Sequence, residues 1–135
     1  MGKFRASCAL AIALTGCGAA PQRPEGEALR YVDYAGEPVE QIRTLRPVNG
    51  WTAVSRNQLV IWTGVNEAWL LRVWGNCADL TIVNGIQVTR TGSTISRFDK
   101  VIAGRDACPI EDIRPIDLAR LKADRKAARD TTATP

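Results

Sequence analysis

The chain has 135 residues and a formal net charge of +4, from eighteen basic and fourteen acidic side chains, with no histidine. That length supports one domain with a modest core, and the missing imidazole removes Ser-His and Cys-His pairs and the commonest metal ligand. The excess charge sits at the ends, +2 from Lys3 and Arg5 and +3 from residues 118–135, while residues 28–117 hold ten of each sign; nucleic-acid binding, which wants a basic face on the folded body, is set aside.

Behind Lys3 and Arg5 runs an apolar stretch from Ala6 to Leu14, broken only by Ser7 and Cys8. This is the layout of an export signal. In a helix the stretch covers roughly 13 Å, short of the ~30 Å hydrocarbon core, so a permanent span is not expected. It closes on Leu14-Thr15-Gly16-Cys17, which resembles a bacterial lipobox. On that reading residues 1–16 are removed, and Cys17 carries diacylglycerol and becomes the acylated N-terminus. Ala6 argues against myristoylation of Gly2, which needs Ser or Thr at that position. The competing readings are an ordinary secretory signal cut near Gly18 to Ala20 and a cytosolic chain with an apolar first helix. Gly18 is not the aspartate that resembles an inner-membrane retention signal, so the expected address is the outer membrane, facing the periplasm.

Residues 17–30 are expected to be a lipidated start and flexible tether, with Pro21, Pro24 and Gly26 and no apolar period. A β domain is expected over residues 31–117. Gly36-Glu37-Pro38 turns the chain into a first strand from Val39 to Arg46, ended by Pro47 and Asn49-Gly50. Arg56-Asn57 then joins strands Trp51–Ser55 and Gln58–Thr63, in a connection where Asn can take positive φ. Gly64-Val65-Asn66 leads into Glu67–Trp74, which puts Trp69, Leu71 and Val73 on one face and Leu70, Arg72 and Trp74 on the other. Both faces are partly apolar, so this strand is expected to be central.

Gly75-Asn76 and Cys77 break the sheet. Asn84-Gly85, between Thr81–Val83 and Ile86–Val88, specifies a type I′ hairpin and is the strongest local signal in the chain. Thr91-Gly92 turns into Ser93–Phe98, and Gly104-Arg105-Asp106 joins Val101–Ala103 to Ala107-Cys108 in a further hairpin. Since Cys8 leaves with the leader and Cys17 takes lipid, Cys77 and Cys108 are expected to form a disulfide in an oxidising compartment. A zinc site, the weaker reading, lacks histidine and spaced partners. Ile110, Ile113 and Ile116 have a three-residue spacing that fits either a turn of helix or a strand. Asp117 is the expected N-cap of a helix from Leu118 to Arg129, followed by a disordered tail in a basic segment, 118–135. With only Leu118 and Leu121 as anchors, a solvated helix is favoured over one on anionic lipid or an acidic partner. Short runs between close turn signals predict a mainly β fold, a small antiparallel meander curled into a partial barrel or sandwich.

No Gly-rich phosphate loop or Cys-x-x-Cys pair is present, and no catalytic residue, metal or cofactor beyond the lipid on Cys17 is assigned. Arg97, Asp99 and Lys100 are the best polar cluster, although Asp99 reads first as a turn or backbone-binding carboxylate. Glu111 and Asp112 with Arg114 read as solvated charge. Trp51, Trp62, Trp69 and Trp74 fall in strands that a small core must cover, with a ligand groove as the alternative. Trp74 beside Arg72 is the tryptophan expected at the surface. The candidate ligand or partner surface is therefore Trp74, Arg72, Arg97, Asp99 and Lys100.

Taken in order, Tyr34-Ala35-Gly36-Glu37-Pro38-Val39, Gly50-Trp51, Ala68-Trp69-Leu70-Leu71, Cys77, Phe98-Asp99-Lys100-Val101, Cys108-Pro109-Ile110 and Ile113-Arg114-Pro115-Ile116-Asp117 resemble one family. It is an uncharacterised family of short proteobacterial lipoproteins classed as a domain of unknown function. The resemblance spans about Tyr31 to Arg120; Trp69 departs from the tyrosine expected there, which touches packing. It implies a location and a fold but no mechanism. The functional expectation is a membrane-anchored periplasmic lipoprotein acting as a non-catalytic binding or structural module of the cell envelope, with the membrane and an envelope protein as partners. The alternative, resting on architecture alone, is an inhibitor or accessory protein of an envelope enzyme such as a lysozyme. A carboxylate-dependent hydrolase ranks last.

Overall fold

The computed structural model describes residues 31–132. The leader, the lipobox and the tether expected over residues 1–30 lie outside the described residues, as do residues 133–135. Among the described residues, helical backbone at residues 31–33 is followed by eight strands and a longer helix: β1 (Gln41–Arg43), β2 (Gly50–Ser55), β3 (Gln58–Gly64), β4 (Glu67–Val73), β5 (Ile86–Val88), β6 (Thr94–Ser96), β7 (Lys100–Ala103), β8 (Asp106–Pro115) and α1 (Leu118–Thr132).

The apolar run of β3 and β4 explains their place. Leu59, Val60, Ile61, Leu70, Leu71 and Val73 are all fully or almost fully buried, a pattern of strands covered on both faces. β4 pairs with β3 on one side and β8 on the other, inside a six-stranded antiparallel sheet of order β2-β3-β4-β8-β7-β5. The sheet curls into a half-barrel. Leu59, Ile61, Leu71 and Val73 meet Val101, Cys108, Ile110 and Ile113 within the curl, closed over by Ile42 of β1 and Ile95 of β6. β1 and β6 form a separate two-stranded sheet.

The opposite face is covered too. Val60, Ala68 and Leu70 pack against Ile116, Leu118, Leu121 and Tyr34. Asp117 Oδ1 accepts the backbone N–H of Arg120 at 3.0 Å, the expected N-cap bond. Leu118 and Leu121 are 7% and 2% exposed, and burying a leucine contributes about 1.5–3 kcal/mol. Two such anchors dock the first turn of α1, so the helix is packed on the domain rather than solvated all round. It also runs to Thr132, past the expected end at Arg129.

The isoleucine spacing in β8 resolves as a strand with one extra residue. Arg72 pairs with Asp112 but Val73 pairs with Ile110, leaving Glu111 unmatched. Such a bulge reverses the alternation, and Ile110 and Ile113 therefore share the inner core while Ile116 joins the outer one.

Three local expectations are corrected. The first strand covers only Gln41–Arg43, not Val39–Arg46: its partner β6 is three residues long, and Leu45 turns outward at 90% exposure ahead of Pro47. In the β2–β3 hairpin Asn57 does not take positive φ; a register shift between Ala53 and Ser55 accommodates the turn instead. The third correction is the largest. Thr81–Val83 is not a strand, and neither Asn84 nor Gly85 has positive φ. Asp79 accepts the N–H and hydroxyl of Thr81 at 3.0 and 2.5 Å, closing an Asx turn. Leu80 is fully buried and donates its N–H to Arg56 O at 3.0 Å. Tertiary burial overrides the Asn-Gly signal, and β5 pairs with β7 instead.

The β7–β8 hairpin forms as expected. Gly104 has φ 64° and Arg105 does not share the positive φ, the pattern of a type II′ turn. It returns Cys108 to Cys77, and the two form a disulfide with Cα atoms 5.5 Å apart. The bridge fastens β8 to the loop that follows β4.

Candidate functional site

A curled sheet that does not close leaves two edges. β2 ends the sheet on one side and β5 on the other, and they face each other across a cleft of about 360 Å³. Asn49, Gly50 and Trp51 line it from the β2 side, and Ile86, Gln87 and Val88 from the β5 side. Thr44, Val48, Arg90 and Ile95 contribute further wall. Its volume lies in the range of small-molecule sites, about 300–1,000 Å³.

The wall mixes an apolar body with a few polar groups. Val48, Trp51, Ile86 and Val88 pack partly buried against the inner core. Thr44 is 3% exposed, and its hydroxyl has no hydrogen-bond partner among the described residues. Among the described lining residues none is acidic. Asp79, Asp112 and Glu40 hold Arg56, Arg72, Arg114 and Arg97 in ion pairs, whereas Arg90 has no such partner among the described residues.

Apart from Trp51, the residues singled out from sequence fall elsewhere and do not form one cluster. Leu14, Thr15, Gly16 and Cys17 lie outside the described residues. Trp74 is 58% exposed just past β4, and its N–H donates to Pro109 O at 3.2 Å. Pro109 pairs across β7 with Lys100, so Trp74 and Lys100 flank one residue of β8. Arg72 lies on the other face of β4 from the inner core, 3.8 Å from Asp112. Asp112 also meets Arg114 at 3.4 Å, and Arg114 Nη1 donates to Gly36 O at 3.3 Å. Arg97 pairs with Glu40 at 3.3 Å and lies 5.9 Å from the Phe98 ring centre.

Asp99 is engaged by its own turn. Its Oδ2 accepts the N–H and hydroxyl of Ser96 at 2.8 and 3.1 Å, and its Oδ1 accepts the Thr89 hydroxyl at 3.1 Å. The Thr89 hydroxyl in turn accepts the Lys100 N–H at 2.8 Å. This carboxylate fastens the β6–β7 turn to the end of β5. At Asp79, the Thr81 hydroxyl and then the Thr81 N–H hold the carboxyl below its ordinary range, with Arg56 adding to the effect.

The tryptophans divide by layer. Trp51 and Trp69 pack on the inner core, and Trp62 packs on the outer one. Trp69 Nε1 donates to Thr63 Oγ1 at 3.1 Å. Tyr31 meets Trp62 edge-on at 5.9 Å, beneath the Arg125 guanidinium. Among the described residues no group of three His, Cys, Asp or Glu side chains could hold a metal ion, and no helix is long and apolar enough to cross a membrane.

Trp51 was visible from sequence as a groove candidate, but the other cleft residues were not. Arg90 carries no local motif, and Thr44 sat inside the overlong first strand. Only the curl of the sheet brings β2 and β5 face to face.

These features define a small half-barrel protein, stapled by one disulfide, backed by a helix and open at a cleft between its sheet edges. Within that class the chain belongs to DUF6491, a family of unknown function whose model matches residues 2–132. No curated protein and no solved structure matches the chain. The two outer stretches of the family resemblance meet in space: Gly36 N–H donates to Pro115 O and Val39 N–H to Ile113 O, both at 2.8 Å.

Proposed function

We propose that the protein is a periplasmic lipoprotein, held on the outer membrane by acyl chains on Cys17, whose domain is a non-catalytic binding module of the cell envelope. The observation that carries this reading is the Cys77–Cys108 disulfide. It closes a separation of 31 positions, and bridges of this kind persist in oxidising compartments such as the periplasm. The leader ending in Leu14-Thr15-Gly16-Cys17 supplies a route to that compartment. Lipid attachment suits a binding role because it concentrates the cleft at one surface, and two or more acyl chains make anchoring stable.

Metabolic labelling with radioactive palmitate tests the proposal. The wild-type chain incorporates label and fractionates with outer membranes, whereas Cys17→Ala does neither. Continued labelling of Cys17→Ala, or free thiols at Cys77 and Cys108 in protein taken from cells, overturns it.

A further inference from the structure

We infer that the cleft between β2 and β5 binds a small amphiphilic anion, a molecule with a carboxylate head and a short apolar body. The inference rests on the binding-module reading for its biological setting and gives that module a ligand class.

The apolar part of the argument is the lining. Trp51, Ile86 and Val88 present partly buried hydrocarbon and ring surface to the cleft. At ~30 Å³ for each water-sized group, a volume of about 360 Å³ takes a ligand of about a dozen non-hydrogen atoms. Covering that surface is favourable by ~25 cal/mol per Å² removed from water.

The polar part is the sign of the wall. Arg90 lines the cleft, and its guanidinium offers the planar fork that matches a carboxylate by two parallel hydrogen bonds. Arg43 and Arg46 adjoin the lining residues Thr44 and Pro47 in sequence and are exposed. With no acidic side chain among the described lining residues, the local field favours an anion although residues 28–117 are neutral as a whole. Asn49 and Gln87 add amide donors. Thr44 also forms part of the wall, and its buried hydroxyl has no hydrogen-bond partner among the described residues.

An extended peptide added to a free sheet edge is the competing occupant. β5 has only three residues, a short edge for the run of main-chain bonds that gives such complexes their affinity, whereas β2 on the other side has six. The compact volume and the arginine favour the small anion.

The test is a ¹⁵N NMR titration of the full-length chain carrying Cys17→Ser, so that no acyl group competes, with octanoate as probe. Saturable shifts are expected at the Trp51 indole N–H, Val88 and Arg90. Acetate, which has the charge without the body, and octyl glucoside, which has the body without the charge, each bind at least about tenfold more weakly. Arg90→Gln weakens octanoate about tenfold, Arg90→Lys weakens it less, and Arg97→Gln, outside the cleft, leaves it unchanged. Equal binding of octyl glucoside and octanoate, unchanged affinity in a folded Arg90→Gln, or shifts outside the cleft overturn the inference. A response to an acidic tripeptide without one to octanoate also overturns it, and assigns the cleft to edge-strand pairing. Loss of palmitate labelling would remove the anchor and leave the titration standing; a flat titration with labelling intact removes the ligand class alone.

Discussion

The Tyr34 hydroxyl donates to Asp124 Oδ2 at 2.6 Å, joining two residues ninety positions apart. Tyr34 enters the outer core with its ring beneath the Arg120 guanidinium, whose carbon lies 4.8 Å from the ring centre. The first described segment and the last helix therefore hold each other against the sheet. Tyr34→Phe keeps the ring and removes the bond to a charged acceptor, so it should destabilise the protein by about 1–2 kcal/mol in urea. Asp124→Ala should lose a similar amount, and the two losses should not add. Full additivity in the double variant would show that the bond contributes nothing.

Reducing the disulfide should lower stability by about 3.5–4 kcal/mol, the chain-entropy estimate for a separation of 31 positions. Guanidinium melts with and without reductant measure it directly. Cys108→Ser should lose more than Cys77→Ser, because Cys108 is wholly buried in β8 and Cys77 is not, and a serine hydroxyl there would lack partners.

Asp99→Ala strips acceptors from the Ser96 N–H, the Ser96 hydroxyl and the Thr89 hydroxyl together. A loss of about 2–3 kcal/mol is expected, with increased amide exchange at Ser96 and Lys100. Asp99→Asn should lose less, since one oxygen remains to accept. A fully stable Asp99→Ala would contradict the fastening role.

Asp79 gives the pH dependence. Its carboxyl is held below the ordinary range chiefly by the Thr81 hydroxyl, then by the Thr81 N–H. A depressed folded value means that the ionised form is favoured by folding. This contribution is present above the unfolded pKa and is lost as pH falls through the folded one. In NMR titration the Asp79 midpoint should lie below the unfolded-peptide value, and Thr81→Val should raise it. A midpoint unmoved by Thr81→Val would rule out the hydroxyl as the main cause.

Thr44→Val replaces a buried, unpartnered hydroxyl with a methyl group of similar size. Stability should rise by about 1 kcal/mol, while octanoate binding should weaken. Such a trade is common where a site keeps a polar group for its ligand. A destabilised Thr44→Val would show that the hydroxyl is satisfied.

Much of the fold was legible because it depends on short-range chemistry. The β2–β3 and β7–β8 hairpins, the central strand and the Asp117 cap each follow from residues within a few positions of one another. The cysteine pair was legible by elimination. The failures share a different cause. Asn84-Gly85 was locally persuasive, yet the burial of Leu80 and the Asp79–Thr81 turn decide that region. The anchors of α1, Leu118 and Leu121, were legible, but the second apolar face that receives them, Val60, Ala68 and Leu70, was not. The cleft was least legible, because Thr44, Trp51, Val88 and Arg90 come together only when the sheet curls.

The unmatched residue in β8 has a consequence for how this strand can change in length. Cys108 must reach Cys77 from one end of that strand, while Ile113 must meet Leu71 at the other. Deleting Glu111 would leave both demands met, because Ile110 and Ile113 would then stand two positions apart and share a face of a regular strand, with Val73 and Arg72 still opposite Ile110 and Asp112. The bulge is thus a place where β8 can lose a residue without turning a core side chain over, whereas a deletion between Cys108 and Ile110 would turn one of them to the other face.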